Sequence, residues 1–343
     1  MIIDIASHIM PPKYLEALEK RIDPEVSKEL PSKWLPTLSD LDARFRVMDN
    51  YPDMLHVLTV VNPPVEAILE RKDVIAVSQL VNDEMAELVA KYPDRFVGAV
   101  ACLPMNDVDA ALEEADRAIN DLNFQGVQIF TNIMGKPLDS PEFMPLYEKM
   151  TQHDLPIWIH PFFQNVGAVA KDKDQFADYR VFTGPKDPAW AMDRAAFGLP
   201  AATALAVTRL VYSGVFDRFP GIKFITHHCG ADVPYFAKRI EMHYLMFKEA
   251  EGEDLGLERP LPEYFKMFYT DSALHGNVPA MMCGYDFFGA DHIMFGTDMP
   301  FGTEEGLWPV RETVKSIEKM DISDEERKKI FEDNAKKLLK LSM

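Results

Sequence analysis

Short apolar runs rich in β-branched residues recur along the chain, and helix-like amphipathic segments separate them. The run Val57–Val61 (VLTVV) is typical, because strands buried on both faces of a parallel sheet are apolar almost throughout. Alternation of such strands with helices indicates βαβ units. The pattern predicts strands at Ile2–Ala6, His56–Val61, Phe96–Ala101, Val127–Phe130, Ile157–His160, Lys223–Thr226, Lys266–Tyr269 and Ile293–Phe295.

Eight units of this kind close into a barrel. The alternative is an open doubly wound sheet, which needs a glycine-rich turn after its first strand. Residues 6–12, ASHIMPP, contain no glycine. We therefore predict one α/β domain over residues 1–343, a (β/α)8 TIM barrel with insertions after strands 1 and 5, at residues 12–49 and 162–200.

The charge balance limits the partners of this chain. It has 55 acidic and 36 basic side chains, a formal net charge of −19, which disfavours nucleic acids and anionic membranes. No apolar run is expected to reach the roughly 20 residues of a membrane span. The three cysteines are odd in number and far apart, which is typical of a reducing compartment. The first residues lead directly into a strand, so we predict no leader and a cytoplasmic enzyme.

Histidine and carboxylate side chains follow five of the predicted strands. In a barrel of this type, catalytic residues lie at the carboxyl ends of the strands, so these side chains are expected to converge. Nitrogen and oxygen donors together suit zinc, manganese or iron(II). The sequence therefore predicts one divalent metal at the mouth, from the candidates His8, His160, His227 with His228, Asp271 and Asp298.

Five segments, in order and at suitable spacing, resemble one protein family. They are IDIASHIMPP at 3–12, RFRVMD at 44–49, LPIWIHP at 155–161, SGVFDRFP at 213–220 leading to THHCG at 226–230, and MFGTDMPF at 294–301. Together they are similar to the amidohydrolase superfamily, in its branch of aromatic-acid and aminocarboxymuconate-semialdehyde-like decarboxylases. The resemblance covers nearly the whole chain.

This resemblance implies metal ligands at positions 6, 8, 160 and 298, but Ala6 occupies a place where members usually carry His or Glu. Residues i and i+2 of a strand share a face, so Ala6 and His8 are both expected to point inward. His8, His160 and Asp298 remain as predicted ligands, and three protein ligands with water form a valid catalytic zinc site. Zinc is the predicted metal, with manganese and iron as alternatives, and loss of the metal is a further alternative.

The resemblance also implies roles for His227 and three other side chains. His227 is implied as a catalytic acid/base beside the metal, with Asp298 as the second candidate for proton transfer. Arg44 matches a position that binds a substrate carboxylate, for which a planar guanidinium is well suited. Arg239 matches one that related enzymes lend to the neighbouring subunit, so a homo-oligomer, dimer or tetramer, is predicted. Trp190 is predicted to line the substrate pocket.

The remaining candidates have weaker patterns. Adjacent strand residues point to opposite faces, so only one of His227 and His228 is expected to be functional, with His228 packed or capping. Asp271 and His275 are candidates for orienting a ligand or touching substrate. Cys229 is expected to be a small buried residue and not a nucleophile.

The resemblance implies metal-dependent, non-oxidative decarboxylation of a small aromatic or unsaturated carboxylic acid. One alternative uses the same barrel for a metal-dependent hydrolase or hydratase of a ring-cleavage product. Another is a barrel that binds a ligand without catalysis, which the missing donor at Ala6 suggests.

Overall fold

The computed structural model describes residues 1–163, 194–252 and 254–342. Its parallel strands are β1 Ile2–Ile9, β2 Met54–Val60, β3 Phe96–Ala99 continued by Ala101–Cys102, β4 Val127–Phe130, β5 Ile157–His160, β6 Phe224–Thr226 and β7 Tyr269–Thr270. A short antiparallel hairpin, Asn132–Ile133 with Lys136–Pro137, follows β4.

Backbone hydrogen bonds connect these strands into a ring. The continued strand β3 joins the two halves, because Val100 N donates to Leu58 O and Ala101 N donates to Gly126 O. The eighth segment, residues 293–295, is bridged to β7 between Ile293 and Thr270, and Ile5 N donates to Phe295 O at 3.0 Å. The predicted barrel is confirmed, but its eighth strand is reduced to isolated bridges, and β7 begins three residues later than expected.

Helices pack around the ring between successive strands. They are α1 Pro12–Glu19, α2 Pro24–Lys28, α3 Leu41–Met48, α4 Val65–Ile68, α5 Arg71–Lys91, α6 Val108–Asn120, α7 Met144–His153, α8 Leu199–Tyr212, α9 Val215–Arg218, α10 Val233–Glu251, α11 Leu261–Phe265, α12 Val278–Phe288, α13 Leu307–Glu318, α14 Asp324–Lys328 and α15 Asn334–Leu338. The insertion after β1 therefore contains α1 to α3. Most of the predicted insertion after β5 lies outside the described residues.

One stretch, Arg194–Tyr212, is long and apolar enough to cross a membrane by length and composition only. It ends in α8, whose Ala206, Val207 and Leu210 are buried in the main hydrophobic core. A helix packed on the barrel accounts for this composition.

An apolar cluster fills the inside of the ring directly below the site. Ile5, Val57, Trp158, Ile225 and Met294, from five segments of the ring, pack together there. Because side chains alternate along a strand, the residues two positions further along face the same interior. Those residues include Thr59 on β2, His160 on β5 and His227 after β6.

Candidate active site

Three histidine side chains meet above this apolar cluster at the carboxyl ends of the strands. The ring centroids of His8 and His160 are 4.9 Å apart, those of His160 and His227 are 4.9 Å apart, and those of His8 and His227 are 5.7 Å apart. All three side chains are buried. His8 reaches the interior because the pairing of β1 with β2 shifts register between Asp4 and Ser7.

The Nδ1 atom of each ring faces a polar neighbour. His8 Nδ1 and Thr59 Oγ1 form a hydrogen bond at 2.9 Å, and His160 Nδ1 donates to Pro161 O at 2.9 Å. His227 Nδ1 lies 3.1 Å from Asp271 Oδ2. Contacts at Nδ1 fix the ring orientation and leave Nε2 for another role.

Asp298 lies between His8 and His228. Its Oδ1 is 3.0 Å from His8 Nε2, and its Oδ2 is 3.5 Å from His228 Nε2. Burial opposes ionisation of Asp298, but contacts with His228 and His8 hold the pKa of its carboxyl well below the usual range. Burial also opposes protonation of His228, but the adjacent Asp298 and the charge of Asp271 raise its pKa above the ordinary value. The pair is therefore favoured as imidazolium and carboxylate.

The placement of His228 contradicts the expectation that it is packed or capping. The alternation rule holds only for extended backbone, but His228 has a φ of 56°, so the strand has already ended. The imidazoles of His227 and His228 can therefore both point toward the site. The left-handed backbone continues through Gly230 and Ala231. Gly230 is the one sequence signal for this turn, since glycine adopts positive φ without strain.

The pKa values of His160 and His227 are shifted in the opposite direction to that of His228. Burial holds the pKa of His160 well below its usual range, and the neighbouring His227 and His8 act in the same direction. Burial also lowers the pKa of His227, against the opposing effect of the Asp271 carboxylate. Neutral imidazoles are the form that binds metal ions.

Imidazole and carboxylate side chains, which meet at this mouth, are donors that bind divalent metals. In the described part of the chain, no three His, Cys, Asp or Glu side chains already surround one point as a metal cage. His8 Nε2 and Asp298 Oδ1 form a 3.0 Å contact, which is close enough for both atoms to bind one ion. Among the described residues, His8 Nε2 and both ring nitrogens of His227 are buried without a hydrogen-bond partner. The donor chemistry of the imidazoles and the carboxylate therefore fits zinc or manganese.

Comparison with known proteins decides the family. Residues 3–341 match the amidohydrolase family Amidohydro_2. This chain belongs to that family. The resemblance inferred from the five sequence segments is thus confirmed.

Similar members of the amidohydrolase family are decarboxylases. The chain is 30% identical over 311 residues to gamma-resorcylate decarboxylase of Polaromonas sp., covering 88% of this chain and 87% of the relative. It is 27% identical over 321 residues to 2-amino-3-carboxymuconate-6-semialdehyde decarboxylase of Dictyostelium discoideum, covering 87% and 81%. A dihydroxybenzoic acid decarboxylase from Polaromonas sp. JS666, solved with bound manganese and the inhibitor 2-nitroresorcinol, superposes with a TM-score of 0.76 at 25% identity, covering 100% of this chain and 97% of that one.

Arg44, matched to a substrate-binding position of the amidohydrolases, is not brought to the imidazole cluster. Its side chain is fully buried between α3 and the outer face of the strands. There it donates to His8 O at 2.7 Å and hydrogen-bonds Ser7 Oγ, and its NH2 lies 3.4 Å from His56 Nδ1. The predicted contact of Arg44 with a substrate carboxylate is therefore corrected to a structural role in holding β1.

The other predicted site residues occupy varied positions. Asp271 lies inside the site beside His227, as the weaker of the sequence patterns suggested. Arg239 is exposed on α10, and His275 is exposed beside Trp308. Trp190 lies outside the described residues.

Aromatic rings flank the imidazoles on two sides. Phe301 lies 5.9 Å from His8, and the exposed Trp34 lies 6.1 Å from Phe301. On the other side, Phe130 lies 5.3 Å from His160 and 6.0 Å from Phe162. Sequence reasoning missed Phe130 and Phe301 because nothing in their local pattern distinguishes a pocket wall from core.

Proposed function

We propose that this amidohydrolase is a metal-dependent, non-oxidative decarboxylase of a small aromatic or unsaturated carboxylic acid. The observation that carries the proposal is the Asp298–His228 pair, placed beside His8 and His160 at the barrel mouth. The relatives support it, because gamma-resorcylate and aminocarboxymuconate-semialdehyde decarboxylases match over most of the chain. Flat apolar walls at Phe130 and Phe301 suit a planar unsaturated substrate.

We propose that His8, His160 and Asp298 hold one divalent metal. When bound, it supplies a Lewis acid that polarises a substrate hydroxyl or carboxylate oxygen. Zinc is the metal that the sequence predicts, but the manganese bound in the Polaromonas structure favours manganese for this chain as well.

The side chains of this protein position the substrate and move one proton. The ring of the substrate lies between Phe130 and Phe301, which exclude water from its faces. Asp298 and His228 share a proton between Oδ2 and Nε2, and this pair donates it to the carbon whose bond to the carboxylate breaks as carbon dioxide leaves. His228 is 16% exposed, so it can regain a proton from solvent, whereas His227 is 1% exposed. We therefore assign proton transfer to Asp298 with His228 in preference to the predicted His227.

We also propose that the enzyme works as a homo-oligomer. The exposed guanidinium of Arg239 lies on α10, and no described residue forms an ion pair with it. In the partner's site, the Arg239 guanidinium would bind a substrate carboxylate. This is the role that the sequence predicted for Arg44. The substrate remains a small molecule, with neither nucleic acid nor membrane as a partner.

The test is release of carbon dioxide by the purified protein with added Mn²⁺ or Zn²⁺, over a panel of hydroxybenzoates and muconates. We expect release that a chelator abolishes and added Mn²⁺ restores. His160→Ala is expected to lose the activity and His153→Ala, outside the site, to retain it. Uptake of water without carbon dioxide would favour the hydratase alternative, and ligand binding without turnover would favour the non-catalytic one.

A further inference from the structure

We propose that His227 supplies the fourth protein ligand of the metal site and replaces the donor that is missing at Ala6. This inference deepens the proposed function, because it rests on a metal held by His8, His160 and Asp298. It also separates two neighbouring histidines: His227 binds the metal, and His228 transfers the proton.

Ala6 leaves an incomplete set of donors on the β1 side of the site. Its Cβ lies 3.0 Å from the point that a Cβ on Gly296 would occupy, and Asp271 Cβ lies 2.7 Å from the same point. Ala6 and Asp271 are therefore neighbours across Gly296. The space that a large side chain at position 6 would require lies against the residue that contacts His227.

The His227 ring has the burial and the free nitrogen that a ligand needs. Its side chain is 1% exposed, and among the described residues neither ring nitrogen has a hydrogen-bond partner, although Nδ1 lies 3.1 Å from Asp271 Oδ2. Leaving a buried polar nitrogen without a partner is unfavourable, so such an atom calls for a ligand. The ring lies 4.9 Å from His160 and 5.7 Å from His8, centroid to centroid, so all three imidazoles border one small volume.

Asp271 holds His227 in the arrangement found behind metal-binding histidines. Its Oδ2 lies 3.1 Å from His227 Nδ1, while its Oδ1 accepts the backbone N–H groups of Ala273 at 3.0 Å and Cys229 at 3.3 Å. A carboxylate at Nδ1 orients the ring and increases the basicity of Nε2 as a ligand. Asp271 is therefore a positioning residue for this ligand.

The experiment measures Mn²⁺ affinity of the apo full-length protein by calorimetry, and metal content by elemental analysis. Removing one protein ligand of four is expected to weaken Mn²⁺ binding by more than about 100-fold, because loss of a supporting contact alone costs about 10- to 100-fold. We expect this loss for His227→Ala and recovery in the double variant Ala6→His/His227→Ala, which returns an imidazole from β1. His228→Ala removes a contact to the ligand Asp298 but removes no ligand, so it should weaken Mn²⁺ binding clearly less than His227→Ala does, while losing carbon dioxide release.

The possible outcomes separate this inference from the proposed function. If His227→Ala binds Mn²⁺ as tightly as the wild type while the wild type releases carbon dioxide, the ligand assignment is wrong and the function stands. If His227→Ala loses Mn²⁺ and the wild type releases no carbon dioxide, the assignment stands and the function is wrong. A wild type that binds no Mn²⁺ or Zn²⁺ overturns the assignment. If His227→Ala does not fold, His227→Asn, whose amide retains a contact to Asp271 but is a poor ligand, is held to the same criterion.

Discussion

At the scale of single residues, Arg44 shows how a charged side chain can support the site without entering it. Burial lowers the pKa of its guanidinium to about 10, and the charge of Asp4 acts in the opposite direction. The guanidinium binds the backbone oxygen of His8, so it fixes the strand that carries a proposed metal ligand. Its contribution is therefore expected in stability and not in substrate affinity.

We predict that Arg44→Met lowers the free energy of unfolding by about 2–4 kcal/mol, because His8 O and Ser7 Oγ lose a donor and Asp4 loses a nearby positive charge. Urea unfolding followed by circular dichroism measures the loss. Arg46→Met, an exposed site on the same helix α3, is the matched control and should change stability by less than about 0.5 kcal/mol. A stable Arg44→Met protein with a strongly raised KM would instead restore the predicted role in substrate binding.

His8, His160, His227 and Asp298 lie at the mouth because the carboxyl ends of parallel strands meet at one edge of a barrel, and their roles stay predictions. The sequence could not place His228 or Arg44. The direction of His228 depends on a left-handed backbone after β6, and that of Arg44 on which side of the barrel wall α3 packs. Neither property is encoded in residue type or spacing alone.

At the scale of elements, the junction between β1 and the eighth segment determines where Asp298 lies. Asp4 Oδ1 accepts Thr297 N at 3.2 Å and Ala6 N at 3.0 Å, and Thr297 Oγ1 donates to Asp4 Oδ2 at 2.5 Å. The same hydroxyl accepts Met299 N at 3.1 Å. The residues on both sides of Asp298 are thus anchored, and Asp298 itself has a positive φ of 62°.

We predict that Thr297→Val lowers the free energy of unfolding by about 1–3 kcal/mol, because the buried Asp4 Oδ2 and Met299 N lose their partner. It should also lower kcat for carbon dioxide release, since Asp298 is less firmly held. The matched control is Thr313→Val: Thr313 is equally buried, but its Oγ1 has no hydrogen-bond partner in the described structure. That change should be neutral or stabilising by up to about 1 kcal/mol. Equal losses in both variants would show that the Asp4–Thr297 junction has no special role.

Strands marked by a local apolar run were predictable from the sequence. Strand boundaries that depend on pairing with distant segments were not. The apolar runs of β2, β4 and β5 agree with prediction to within about two residues at each end, a common uncertainty of such boundaries. The segment at 293–295 carries the same apolar signal, but it makes only isolated bridges because its neighbours contact it at single residues. The turn before β7 replaces the expected start of that strand, since the end of α11 extends the helical backbone to Lys266.

At the scale of the whole molecule, α10 presents an exposed apolar surface although the protein is strongly acidic. Val233 is the one buried residue of this 19-residue helix, and its exposed side chains include Tyr235, Leu245 and Phe247, at 78%, 55% and 60% exposure. A groove on the same helix is lined by Lys238, Glu241, Met242, Leu245, Met246 and Glu249. Contiguous exposed apolar surface marks an interaction site, and a second copy of the chain would cover it while bringing Arg239 to the boundary.

We predict that Leu245→Glu raises the dissociation constant of the proposed homodimer at least tenfold, because a carboxylate would be buried in an apolar contact on a chain that already carries a net charge of −19. Light scattering after size-exclusion chromatography, over a range of protein concentrations, measures the change. Added salt should strengthen the wild-type dimer, since it screens the repulsion between two acidic copies. Met134→Glu, an exposed apolar position on the hairpin after β4, is the control and should leave the dimer intact.

If the Leu245→Glu protein becomes monomeric and also loses carbon dioxide release, with its fold unchanged by circular dichroism, the site depends on the partner's Arg239. A wild type that is monomeric at all concentrations would contradict the proposed homo-oligomer and leave the surface of α10 for another partner.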